Sequence, residues 1–117
     1  MRAPIVLLFC SPLTACSTAM ESSIITPYVP PSMPTVAAAN EGIKKAATEK
    51  LTGPIEMSDL RETGHGPGRF FVCIRGVDSI YRRVGTYAVF LDNNDYKGSR
   101  MSVIMDDCEK QEYRPFP

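Results

Sequence analysis

The sequence predicts an α+β domain, one helix packed on a small antiparallel sheet of three strands with a possible fourth, behind an apolar leader and a proline-rich tether. Three observations predict it. Apolar residues recur at spacings of three and four over one stretch that closes on Gly53 and Pro54. Three later runs are rich in aromatic and β-branched residues. A proline-dense segment that forbids a helix separates these elements from the N-terminus.

Composition limits the function classes. A chain of 117 residues, 44% hydrophobic and 22% charged, has the make-up of one small globular domain. Lys plus Arg equals Asp plus Glu at 13 each, so no net field draws the protein to nucleic acid or to an anionic surface.

Residues 7–16 read LLFCSPLTAC. With Arg2 as a positive start, an apolar run over 5–9 extended through Leu13, and small residues after it, residues 1–15 have the parts of an export signal. The run is too short to span a bilayer, which takes about 20 apolar residues. Leu13-Thr14-Ala15-Cys16 resembles the lipobox of bacterial lipoproteins. The resemblance implies that the Cys16 thiol takes a diacylglyceryl group, that the chain is cut before it, and that the new amino terminus is acylated. Cys10 competes poorly, because the bulky Phe9 stands where a small residue is needed. Ser17 lacks the Asp that favours inner-membrane retention in the enteric sorting rule, so the resemblance points to the periplasmic face of the outer membrane.

Residues 16–34 form the lipidated cysteine and its tether. Pro27, Pro30, Pro31 and Pro34 fall among serines and threonines, a composition for an extended spacer. The globular domain is expected over 35–117. Its helix lies in TVAAANEGIKKAATEKLTGP, where Val36, Ala39, Ile43, Ala46, Ala47 and Leu51 build a narrow, alanine-rich face suited to close packing on a sheet. The strand runs are residues 69–76, 85–93 and 99–107, with a short edge strand possible at 55–58. DNNDYKG, between the second and third runs, supplies the residue types of a hairpin connection. The expected core is Ile43, Leu51, Phe70, Val72, Ile74, Val89, Leu91, Met101, Val103 and Met105.

Processing of the leader leaves two cysteines, Cys73 and Cys108, in an oxidising compartment, where a disulfide is the expected outcome over a metal site or a reactive thiol. Bridged Cα atoms lie about 4.4 to 6.8 Å apart, whereas the outer strands of a three-strand meander sit roughly twice the 4.8 Å strand spacing from each other. Either the first and third runs are neighbours, or the chain after Asp107 folds back across the sheet.

LTGPIEMSDLR, FFVCIRG, TYAVFLDN and SRMSVIMDDCE together resemble small envelope lipoproteins of alphaproteobacteria, over about residues 51–109. That resemblance supports the cysteine pairing and the α+β layout and implies no activity.

The chemistry scan yields no catalytic set and no cofactor or metal site. DNNDYKGSRMSV fails as a calcium loop, with Tyr96 in place of an oxygen ligand and Lys97 in place of glycine. His65, the sole histidine, lies in the loop TGHGPG without a second ligand or nucleophile nearby. Asp106, Asp107 and Glu109 cluster, but adjacent aspartates on a strand point to opposite faces. Arg75, Arg82, Arg83 and Arg100 are expected to pair with acids across strands or face solvent. The favoured reading is a non-enzymatic envelope lipoprotein, held in the bilayer through acylated Cys16, that binds an envelope protein or stabilises an assembly. The alternative is a periplasmic small-ligand binder, or an inhibitor of a secreted enzyme that presents a loop such as 61–69.

Overall fold

The helix α1, Val36–Lys50, opens where Thr35 takes extended backbone and its Oγ1 accepts the Ala38 amide at 3.2 Å. The computed structural model describes residues 27–117; the leader, Cys10 and Cys16 lie outside them. Ala39, Gly42, Ile43 and Ala46 are the buried stripe of α1. Gly42 is required by contact, since a Cβ there would stand 2.9 Å from a Leu91 methyl.

The helix does not run on to the Gly-Pro pair. Leu51 turns extended, and strand β1, Leu51–Met57, begins with no intervening loop. Gly53 at φ +74° and Pro54 instead mark an irregularity in the β1–β3 register between Thr52 and Glu56, where a left-handed residue and a missing amide donor are tolerated. Ser58 continues the pairing: its amide donates to the Cys73 carbonyl at 2.8 Å and its Oγ accepts the Cys73 amide at 2.9 Å.

The sheet has six strands, not three or four. After β1 come β2 (Arg61–Glu62), β3 (Phe70–Asp78), β4 (Val84–Asp92), β5 (Asp95–Met101) and β6 (Arg114–Pro115). They are antiparallel in the order β5-β4-β3-β1-β6, with β2 also against β3. The expected edge strand at 55–58 is therefore an interior one, flanked by β3 and β6. β2 and β6 span two residues each, too few to carry an alternating pattern.

The third expected run is displaced. Asn93 at φ 52° closes a two-residue turn with Asp92 opposite Asp95, so five of the seven residues of the expected DNNDYKG connection are already strand. Strand β5 then stops at Met101, and the chain makes two 3-10 turns, Ile104–Asp106 and Cys108–Lys110. Met101, Val103 and Met105 are exposed rather than core. The other seven expected core residues are buried.

Both sheet faces are covered, which is why Phe70 to Ile74 are buried without alternation. One face packs Val72, Ile74, Tyr87 and Val89 against Ile43 and Ala46 of α1. The other carries Phe71, Cys73, Ala88 and Phe90 and is closed by Cys108 and Tyr113. Cys73 and Cys108 form a disulfide with their Cα atoms 5.6 Å apart. The chain after β5 folds back across the sheet to make this possible.

The chain enters the domain at the β4–β5 turn. Ser32 donates through its amide and hydroxyl to Asn93 Oδ1, each at 2.9 Å, and the Thr35 amide donates to Asn94 Oδ1 at 3.0 Å. Residues 27–34 have no regular secondary structure, yet Pro34 is buried.

Candidate functional site

The segment 102–113 is a strap laid over the second sheet face, and its polarity is inverted. Asp106 points inward and is 1% exposed, while Ile104 beside it is 94% exposed. Three groups hold the carboxylate: Arg100 Nη1 and Nη2 donate to its two oxygens at 2.8 and 3.1 Å, and the Val103 amide donates to Oδ2 at 2.9 Å. A two-pronged guanidinium with an added amide is the geometry that offsets the desolvation of a buried carboxylate.

Arg61 was not singled out by its sequence context, and it joins the same cluster. Its Nη2 donates to the Asp106 carbonyl, and its Cζ lies 4.6 Å from the centre of the Phe71 ring. Arg100 sits likewise 4.9 Å from the Phe90 ring centre, and those two rings stack at 5.9 Å. Two cations thus fill the layer between an aromatic pair and the strap. At the far end the Tyr113 hydroxyl donates to the Cys108 carbonyl at 2.7 Å, with the Arg75 guanidinium 4.0 Å over its ring. Burial pushes the Tyr113 hydroxyl pKa up, against the opposing pull of Arg75 and Arg61.

Held this way, the strap turns Val103, Ile104 and Met105 to solvent, with Met101 exposed just before them. They edge a hollow of about 530 Å³ that Glu109 and Lys110 complete. Contiguous exposed apolar side chains on a fixed backbone mark an interaction surface more often than a reaction centre.

Asp106 and Asp107 differ in exposure as expected, but the cause is a turn and not a strand: Asp107 takes φ 52° between the two 3-10 turns. Glu109 is also exposed. His65 is exposed in its loop, and its backbone carbonyl accepts from Arg100 Nη2 at 3.2 Å. The loop 61–69 lies down on the sheet rather than standing out, because Gly66 rests on the Phe90 ring and Gly68 on the Leu91 backbone. Beside it runs an open, largely polar trough of about 590 Å³ that includes Tyr28, Glu62, Arg69 and Asp92. Arg75 pairs with Glu56 at 2.5 Å. Among the described residues no group of three His, Cys, Asp or Glu side chains is placed to hold a metal ion, and no helix is long and apolar enough to cross a membrane.

A second buried polar pair closes the β3–β4 hairpin. Tyr87 donates its hydroxyl to Asp78 Oδ2, while Asp78 Oδ1 accepts the Ile80 and Tyr81 amides at 2.8 and 2.9 Å. These bonds, the Tyr87 hydroxyl foremost, hold the Asp78 carboxyl below the usual 3.8 against desolvation. The same bond and burial push Tyr87 up to about 12. An Asp just before a turn is the sequence signal for such a cap. The chain matches no protein-family model, no curated protein and no solved structure.

Proposed function

We propose that this protein is a non-enzymatic envelope lipoprotein, anchored through acylated Cys16, whose domain docks a protein partner on the outer side of the strap. The leader and the lipobox-like LTAC support the anchor. The observation that carries the docking reading is the inverted strap: Asp106 is buried and fully bonded while Ile104 and Met105 are turned outward on a segment tied down by a disulfide. A pinned backbone lowers the ordering cost of binding, and apolar side chains at its crest supply the area a partner would cover.

The experiment is site-specific photo-cross-linking in intact cells. A photoreactive residue at Ile104 is expected to give one discrete protein adduct, and the same group at exposed Lys45 on α1 none. Absence of an adduct at position 104, or equal adducts at both, would overturn the docking reading. The anchor is tested separately: Cys16→Ser should leave the chain unacylated, and Cys10→Ser should change nothing.

A further inference from the structure

The hairpin tip between β3 and β4 carries a second exposed apolar group of different electrostatic character. Ile80 is 78% and Tyr81 60% exposed, and Val84 and Val77 pair just behind them on an uncovered stretch of the sheet. Arg82 and Arg83 follow directly and are exposed. Neither is among the ion pairs formed within 4.0 Å by the described residues. Asp78, at the base of the turn, is buried, and its oxygens are already engaged by Tyr87, Ile80 and Tyr81. The tip is held in one shape: Arg82 takes φ 60°, its amide donates to the Asp78 carbonyl at 3.0 Å, and the Ser79 amide donates to the Lys50 carbonyl at 3.0 Å.

The strap and the tip therefore suit different occupants. Around Ile104 and Met105 the exposed charges are Asp107, Glu109 and Glu112 against Lys110, which repel an anionic surface. The tip has two exposed guanidiniums outside any ion pair of the described residues, that of Arg83 5.6 Å from the centre of the Tyr81 ring, and no exposed acid between residues 79 and 84. An aliphatic side chain, a tyrosine and two adjacent arginines follow the composition of a bilayer interface, apolar below the headgroups, amphipathic at their level and cationic at the phosphates.

We propose that the 80–83 tip is a lipid-surface contact, in which Ile80 and the Tyr81 ring enter the headgroup boundary while Arg82 and Arg83 bind the phosphates of anionic lipids. The contact needs no acyl anchor. Reach does not oppose it, since the 16 residues from Cys16 to Ser32 span up to roughly 55 Å when extended, more than twice the length of about 22 Å expected for the 15-residue α1 that lies between chain entry and tip.

The test uses the full chain carrying Cys16→Ser, so that acylation cannot contribute, in flotation with vesicles of phosphatidylcholine alone or mixed with phosphatidylglycerol. The variants R82Q/R83Q and I80S/Y81S are compared with this parent, which shares their apolar leader. R82Q/R83Q should lose about 30-fold in partitioning to the anionic vesicles, as two basic residues warrant, and keep its partitioning to phosphatidylcholine. I80S/Y81S should bind both kinds of vesicle more weakly than the parent. Both changes keep the backbone amides of residues 80 and 81 that bond Asp78, and unchanged melting curves establish that the fold is intact. Vesicle binding equal to the parent in both variants would overturn the proposal. So would sedimentation showing a parent dimer that both variants abolish, because the tip would then be a contact between two copies of the chain.

Discussion

Arg100 and Asp106 face each other across six residues of chain, with both guanidinium Nη atoms on the carboxylate at 2.8 and 3.1 Å. The pair closes the reversal that carries the chain from the edge strand β5 onto the sheet face. Asp106 is the one buried charge of the strap, so with the disulfide this pair sets the outward direction of Ile104 and Met105.

Replacing Asp106 by Asn keeps the shape and removes the charge. Arg100 retains contact with solvent, its side chain being 31% exposed, so the cost is smaller than for a fully buried orphan. D106N should destabilise the domain by about 2 kcal/mol in urea titration, with amide exchange rising first over residues 102–110. Unaltered exchange in the strap would show that the pair does not hold it.

The disulfide closes a separation of 35 residues. Chain entropy sets its contribution at roughly 4 kcal/mol. C73S/C108S should lower the urea midpoint and steepen the transition, because the denatured chain without the bridge is less compact; mapping of two free thiols in the native protein would contradict the bond itself.

Asp78 and Tyr87 give the stability curve two limbs of opposite sign. The Asp78 carboxyl lies below 3.8 in the fold, so its contribution is complete above that pH and is lost as pH falls through the folded value. Tyr87 is raised from 10.0 to about 12, so its contribution is complete below 10 and is lost as pH rises toward 12. Y87F should shrink both limbs, leaving the part of the alkaline one that the raised Tyr113 supplies, read as urea midpoints across pH. An alkaline limb of undiminished size in Y87F would remove Tyr87 as its source.

Two glycines in the same loop should respond differently. A Cβ on Gly66 would fall 1.9 Å from an atom of the Phe90 ring, whereas one on Gly64 meets nothing within 4 Å. Gly66→Ala should cost about 1 to 3 kcal/mol by overpacking, and Gly64→Ala should be neutral. Equal melting temperatures for the two variants would mean that the loop does not rest on Phe90.

The elements with long, strong patterns were legible in the sequence. α1 followed from its alanine-rich stripe, and β3 and β4 from their aromatic and β-branched runs. The failures share one cause, the reading of local pattern without its covering layer. Met101, Val103 and Met105 alternate as a strand's core face would, yet β5 ends at Met101 on the sheet edge and the 3-10 turn that follows leaves Val103 and Met105 exposed as well. The Arg100–Asp106 pair, the distant Arg61 on the Asp106 carbonyl and the Cys73–Cys108 bond together hold that turn. β2 and β6 exist because longer neighbours offer them an edge, which no two-residue window announces. The strap surface stayed hidden for the same reason, since a run of Val, Ile and Met reads as core until its direction is known. The Asp78 cap was readable in principle, from an Asp placed just before a hairpin turn.

The place where the chain joins the domain also fixes how the domain bears load. Ser32 and Thr35 are tied to the Asn93–Asn94 turn, while the free tip at residues 80–83 lies at the opposite end of β4. A pull applied between the entry segment and the tip runs lengthwise along the strands. The ladder bonds of β3 with β4 and of β4 with β5 then resist in shear, many at once, instead of opening one after another from an end. The weak points under tension are the exposed side-chain bonds at Asn93 and Asn94, which would release the entry segment and lengthen the tether before the sheet yields.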